Sequence, residues 1–409
     1  MTTLPWGPLD RSCLTPLDGG VTSVPGVRAA GIAAGLKESG APDLALVDAG
    51  SVVGVSAVTT TNLVKAAPCV VTERHVADGR ARAVVVNAGN ANACTGPEGV
   101  EAAERTAAEV ATALGCARSE VVPLSTGIIG VPLPVERILE AVPALVGDLG
   151  DDPDAGERAA QAITTTDTVT KNVAYEVSDG AGRCTVGGMA KGAGMIEPAM
   201  ATLLAVLITD APLDQTVHRR VLSKAIEGTF NRISVDACGS TNDTVVLLAT
   251  GTAPSPPGLA ALKTGIEAAC ADLAHAVVAD GEGTSKVAAI TVQSAATEAE
   301  AERLARAVTS SVLVRAALHG ADPNWGRILA AMGASGVAFE PARVQMRIEG
   351  ITVCRFGAAA AFDRGQVAAA MSRPELSVEM ELGQGRRSAT VLTADLTPTY
   401  VAENAYYTT

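Results

Sequence analysis

Short β-patterned runs joined by turn signals, interleaved with helix-patterned segments, constrain this chain more than any other feature. Asn172 to Val177 and Cys184 to Met189 flank Asp179-Gly180, the pattern of a hairpin. Val344 to Ile348 turns at Glu349-Gly350 into Ile351 to Val353. Glu375 to Leu382 turns at Gly383-Gln384-Gly385 into Ala389 to Leu392, which reads as another hairpin. Tight links join antiparallel neighbours, whereas a doubly wound parallel sheet needs a crossover between strands. Helical periodicity runs over Glu101 to Leu114, with Val100, Ala103, Ala107, Val110 and Leu114 on one face and Gly115 as the stop. Val135 to Leu145, Val217 to Phe230, the segment from Pro256-Pro257 to Val278, and Glu298 to Val308 also read as helices. Arg82 to Val86 reads as a buried strand entering a loop at Asn87-Ala88-Gly89. Further strands are expected after Thr202, at Thr244 to Thr250, and at Val287 to Val292. The expected class is α+β, with helices layered on sheets. The acidic, glycine-bearing stretch 147–156 is the one linker candidate.

At 409 residues the chain can hold two lobes, and with aromatics at 2% its core must be built from small aliphatics. A formal charge of -13 disfavours a nucleic-acid backbone as partner. The sequence lacks a secretory leader pattern and has no apolar run near the roughly 20 residues of a membrane span. A soluble cytoplasmic protein that handles small molecules is expected. Cys13, Cys69, Cys94, Cys116, Cys184, Cys238, Cys270 and Cys354 are scattered without a C-x-x-C pair and read as buried reduced thiols. His75, His218, His275 and His319 show no metal spacing. Asn242-Asp243-Thr244 matches a glycosylation acceptor, which a cytosolic protein would not use.

The candidate chemistry sits in MAKGAGMIEPAMATLLAVLITDA, residues 189–211. A threonine hydroxyl is a weak nucleophile unless a base removes its proton, and a threonine at a chain N-terminus can use its own α-amine. Gly192, Ala193, Gly194 and Ala201 would permit a tight approach to a scissile peptide before Thr202. The plainer reading is a glycine loop followed by a core strand headed by Thr202. In LSTGIIG, 124–130, Thr126 and Gly127 set a hydroxyl beside an unhindered N–H, which suits a developing oxyanion or a simple turn. Lys191 reads as a surface lysine or an anion binder, and the phosphate-loop pattern is absent. Glu282, in ADGEGTSK at 279–286, reads as a helix-end residue or a carboxylate for a substrate ammonium. The polar C-terminus from Glu403 to Thr409 has the character of a frayed end.

With these residues aligned, the chain resembles the ornithine acetyltransferase (glutamate N-acetyltransferase) family of arginine biosynthesis. The self-cleavage pattern K-G-x-G-M-[IL]-x-P-x-[ML]-A-T-[ML]-L is met from Lys191 to Leu204, and S-T-G-[IV]-I-G from Ser125 to Gly130. Further similar blocks lie at 25–37, 87–96, 240–244, 280–286, 322–327 and 400–409. The resemblance implies an N-terminal-nucleophile-like αββα sandwich with two mixed sheets. It implies cleavage between Ala201 and Thr202 into an α chain, 1–201, and a β chain, 202–409, assembled as α2β2. Thr202 then corresponds to the nucleophile, and Thr126 and Gly127 to the oxyanion hole. Thr165, Lys191, Thr202, Glu282, Asn404 and Thr409 correspond to substrate-binding positions. The implied reaction moves acetyl from N-acetylornithine to glutamate through an acetyl-threonine, without cofactor or metal. Whether acetyl-CoA is a second donor stays open, as does a paralogue acting on another N-acyl amino acid.

Two departures stand out. Thr164 occupies the place where methionine precedes Thr165-Thr166-Asp167 in the family pattern, and Val58-Thr59-Thr60-Thr61-Asn62 lacks an aromatic. Rivals are a self-processing aminopeptidase or amidase that passes the acyl group to water, a non-catalytic binding protein, and a nucleotide-binding protein. The intact nucleophile and oxyanion patterns disfavour the second, and the missing phosphate loop disfavours the third.

Overall fold

The computed structural model describes residues 9–197 and 203–406. In chain order the strands are β1 (Leu14–Pro16), β2 (Arg28–Ile32), β3 (Leu44–Thr59), β4 (Arg80–Asn90), β5 (Val121–Ile128), β6 (Lys171–Ser178), β7 (Arg183–Lys191) and β8 (Leu204–Thr209). They continue with β9 (Ile233–Ser234), β10 (Thr244–Ala249), β11 (Val287–Ala295), β12 (Gln345–Ile348), β13 (Ile351–Arg355), β14 (Ala358–Ala359), β15 (Glu375–Glu381) and β16 (Arg387–Ala394). The helices are α1 (Ala67–His75), α2 (Gly96–Leu114), α3 (Val135–Gly147), α4 (Pro153–Ala162), α5 (Gln215–Gly228) and α6 (Leu259–Ala279). Five more follow: α7 (Glu298–Thr309), α8 (Val312–His319), α9 (Trp325–Gly333), α10 (Arg364–Ala370) and α11 (Pro398–Tyr406). No described helix is long and apolar enough to cross a membrane.

Among the described residues the strands form two mixed sheets, in agreement with the expected α+β class. The first runs β1-β6-β7-β8-β10-β3-β4-β5, with β2 also on β3. Its long strand β3 pairs with β2 and β4 through Leu44 to Asp48, and with β10 from Gly54 to Thr59. The register against β4 shifts between Asp48 and Val53, so one strand serves both halves of the sheet. Side chains alternate along each strand, and that alternation sorts the layers. Ala45, Val47, Val84, Val86 and Leu124 meet Leu204, Val206, Ile208, Val246 and Leu248 in one buried cluster. Their neighbours Leu44, Leu46, Ala83 and Val85 point the other way, onto α2 and α3. Ala205, Leu207, Val245 and Leu247 likewise pack on α5 and α6. The sheet is therefore folded upon itself into α–β–β–α layers.

The second sheet runs β14-β13-β12-β15-β11-β16-β9 and is covered by α7, α8, α9 and α10. Leu392 and Ala394 of β16 pack with α6, which is thus shared between the two sheets. The core is aliphatic as expected, with Phe230 the aromatic among its largest fully buried side chains.

The hairpins at Asp179-Gly180 and Glu349-Gly350 form as expected. The expected hairpin at Gly383-Gln384-Gly385 does not. Strand β11 lies between β15 and β16, parallel to one and antiparallel to the other. The stretch 147–156 is no linker. Gly150 exchanges both backbone hydrogen bonds with Ala29, at 2.8 and 3.0 Å, and Asp152 caps α4 through the Ala155 N–H. Strand β4 runs on through Asn87-Ala88-Gly89 to Asn90, where Asn87 Nδ2 donates to Asn90 O and Asn90 Nδ2 donates to Val131 O and Pro132 O. The cysteines are free, but Cys94 and Cys238 are exposed and Cys13 and Cys116 half-buried, so not all are buried thiols.

Candidate active site

The ends of β5 and β7, the start of β8 and several loops enclose a cleft of about 950 Å3. Thr126, Gly127, Thr165, Lys191, Glu282 and Asn404 all line it, although they come from five separate parts of the chain. Leu203, which begins the described chain after residue 197, lines it too. Ala201, Thr202 and Thr409 lie outside the described residues.

Thr126 and Gly127 sit in β5, and the register beside β4 slips between Gly89 and Asn90 at this point. Such slips recur beside active sites, where they re-aim a strand. Gly127 has φ +129°, and a Cβ there would lie 2.3 Å from the Gly89 carbonyl carbon. Only glycine fits, on both conformational and steric grounds. The position is therefore a strand end and not the simple turn the sequence allowed.

Lys191 ends β7 with only 8% exposure, which removes the surface reading. Its Nζ donates to Thr165 Oγ1 at 2.7 Å and to Thr126 Oγ1 at 3.3 Å. Burial lowers its pKa, and the nearby Asp167 carboxylate opposes that shift. Because Thr126 accepts from Lys191, its own O–H remains to point elsewhere.

Glu282 follows α6, and its N–H donates to Ala193 O at 2.8 Å. Its carboxylate accepts from Thr166 Oγ1 at 2.7 Å and from Asn404 Nδ2 at 2.8 Å. A Cβ at Gly194 would fall 2.5 Å from that carboxylate, so glycine here clears the seat of Glu282. The C-terminal segment is helical through Tyr406 and tethered by Asn404, rather than frayed at Glu403.

Sequence reasoning missed several acidic residues at the site. The Asp167 side chain is fully buried between Lys171 and Lys191. Burial alone would raise its pKa, but the two lysines and the Thr165 N–H hold it well below the usual carboxylate range. Asp236 accepts from the N–H groups of Met195 and Ile196, fixing Met195 at φ +58°. Asp243 lines the cleft, and burial pushes its carboxyl well up despite help from Ser240 and Lys191. The available signals were Asp167 beside Thr165 and Asp243 within the 240–244 block. Asn242 is buried and spends its amide on Ala91 O and Ser125 O, which excludes it as a glycan acceptor. Thr164, at the first departure, does not line the cleft, and its hydroxyl donates to Gln161 O. At the second, Thr60 donates to Ser240 O and Asp243 O.

Ser285, His319 and Asp395 also meet, but serine and aspartate both approach His319 Nδ1, at 3.3 and 2.9 Å. A proton relay needs them on opposite ring nitrogens. Among the described residues no three His, Cys, Asp or Glu gather as a metal ion would require.

The ArgJ family model matches residues 28–409. An arginine biosynthesis bifunctional protein of Streptomyces coelicolor is 45% identical over 388 residues, covering 95% of this chain and 99% of its own. The protein of the same name from Thermobifida fusca is 44% identical over 390 residues, covering 95% and 100%. A crystal structure of ornithine acetyltransferase with ornithine from Mycobacterium tuberculosis shares 46% identity, with a TM-score of 0.44 over 46% of this chain and 100% of that one. By the family match and by identity along nearly the whole of both chains, this chain belongs to the ArgJ family.

Proposed function

We propose that the chain is a self-processing acyltransferase of arginine biosynthesis that moves acetyl from N-acetylornithine to glutamate. The observation that carries this reading is the meeting of Thr126, Gly127, Lys191, Glu282 and Leu203 in one cleft. Cleavage between Ala201 and Thr202 gives Thr202 a free α-amine, and Thr202 directly precedes cleft-lining Leu203 in sequence. That amine takes the Thr202 hydroxyl proton as the oxygen attacks the acetyl carbonyl. Thr126 O–H and the Gly127 N–H stabilise the tetrahedral oxyanion. Ornithine leaves carrying the proton, and acetyl stays on Thr202. Glutamate then takes the acetyl group and regenerates the hydroxyl, so the kinetics are ping-pong.

Both amino acids carry an α-carboxylate, so one pocket serves both. An ammonium has three N–H donors. Lys191 directs two at Thr165 and Thr126, which leaves one for that carboxylate. Glu282 has lone pairs beyond those used by Thr166 and Asn404, and these suit the side-chain ammonium of ornithine. Thr409 is the remaining substrate-binding position of the family pattern. The processed chains assemble as α2β2 in the cytoplasm, and the chemistry calls for neither cofactor nor metal.

The relatives are named bifunctional proteins, which favours a second donor, with acetyl-CoA the candidate. A donor–acceptor panel tests both readings. N-acetylornithine with glutamate should yield ornithine and N-acetylglutamate in equal amounts, and N-acetylglutamate from acetyl-CoA would establish the second donor. Acetate release in place of N-acetylglutamate would make the protein an amidase.

A further inference from the structure

Behind Lys191 lies a closed set of charges that the steps above do not use. Lys171 Nζ contacts Asp167 Oδ1 at 2.7 Å and Asp280 Oδ2 at 2.5 Å, and no more than 6% of any of these three side chains is exposed. Asp167 Oδ1 also accepts from the Gly192 N–H at 2.7 Å. Its Oδ2 accepts from the Thr165 N–H at 2.9 Å and faces Lys191 Nζ at 3.8 Å. One carboxylate thus fixes the backbone of a substrate-binding threonine, the backbone that follows Lys191, and the Lys191 ammonium.

We infer that Asp167 is the positioning residue of this cleft, holding the Lys191 ammonium charged and aimed between Thr126 and Thr165 to receive a substrate α-carboxylate. This rests on the acetyl-transfer reading for its substrate. A buried ammonium without a counter-charge costs several kcal/mol, or it gives up its proton. The charged groups around Lys191 are Asp167, Lys171, Glu282, Asp243 and Lys37. Two of these are cations and oppose its charge. Asp243 is held towards its neutral form by burial. Glu282 accepts from Thr166 and Asn404 and makes no ion-pair contact with Lys191 among the described residues. Among the described residues Asp167 is the carboxylate in ion-pair contact with Lys191. It does not touch the reacting atoms, so its effect passes through Lys191.

The test is kcat/KM for N-acetylornithine against pH in the full-length protein, which reports ionisations of the free enzyme. In Asp167→Asn the alkaline limb should move to lower pH by about one unit or more, because an opposite charge at this distance is removed. KM should rise more than kcat falls. Asp280→Asn disturbs the same buried set but leaves the Asp167 charge facing Lys191, so its limb should stay near that of the wild type. Lys171→Met removes a competing cation and should move the limb the opposite way, to higher pH. It keeps the comparison available if Asp167→Asn fails to fold. A limb from the substrate's own ammonium would be identical in all four proteins. A folded Asp167→Asn with the wild-type limb, or a Lys171→Met limb that does not rise, overturns the inference. Ornithine affinity by calorimetry over the same pH range gives the comparison without turnover. Failure of the transfer reading therefore shows separately, as wild-type protein that makes no N-acetylglutamate.

Discussion

Asn404 Nδ2 donates to Glu282 Oε2 at 2.8 Å, joining the C-terminal helix α11 to the loop after α6. The residues are far apart in sequence, and the bond closes one side of the cleft. Asn404 is otherwise exposed, so little folding energy depends on it. Asn404→Ala should raise KM for N-acetylornithine about 3- to 10-fold, because Glu282 loses the bond that aims its carboxylate, worth about 1 kcal/mol. The melting temperature should stay unchanged. Steady-state kinetics and a thermal scan check both halves.

In the proposed reaction Thr126 offers one side-chain donor to the developing oxyanion. Thr126→Ala should lower kcat about 10²- to 10³-fold, the usual effect of losing one such donor. Stability should change little, because the side chain is half-buried at a strand end. An unchanged kcat would remove Thr126 from the role.

Gly127 and Gly130 both have positive φ, +129° and +82°, but only Gly127 faces a neighbour. An added Cβ at Gly130 meets nothing within 4 Å, whereas at Gly127 it meets backbone at 2.3 Å. Gly130→Ala should cost about 1 kcal/mol from backbone conformation, and Gly127→Ala about 2 kcal/mol or more with the clash added. Thermal melts of the two variants give the comparison directly.

Much of this architecture was legible in the sequence because its signals are local. The turn at Asp179-Gly180, the helix stop at Gly115 and the apolar run after Leu203 each act within a few residues. The parting of β15 from β16 was not legible. The glycines at 383 and 385 signal a turn whether or not the flanking strands touch, and β11 enters from almost a hundred residues earlier. The fold of β3 across two layers depends on a register shift that no short pattern announces. At the site, Thr126, Lys191 and Glu282 were legible as residues and resembled a known family. The burial of Lys191 was not, because its glycine neighbours suggest exposure while β6 and β8 on either side enclose it. Asp167 was passed over for the same reason, since its partners Lys171 and Asp280 are brought together only by folding.

His218 in α5 is fully buried, and neither ring nitrogen has a hydrogen-bond partner among the described residues. Burial pushes its pKa down to about 4 from an ordinary 6.5. Between those values the unfolded chain binds a proton that the folded chain does not, so stability falls as pH drops through this window. The loss should reach about 3 kcal/mol near pH 4 from this group. His218→Leu should flatten that part of the profile without loss of stability at pH 7, read by denaturant melts from pH 4 to 8.

In the proposed reaction Thr202 becomes a chain terminus and carries the acetyl group. The direct measurement is the intact mass of purified protein, alone and after mixing with N-acetylornithine without glutamate. Two fragments divided before Thr202 are predicted, the C-terminal one gaining one acetyl group with the donor and losing it when glutamate is added. Thr202→Ala should remain a single chain. A wild-type protein that stays uncut while transferring acetyl at full rate would contradict the claim.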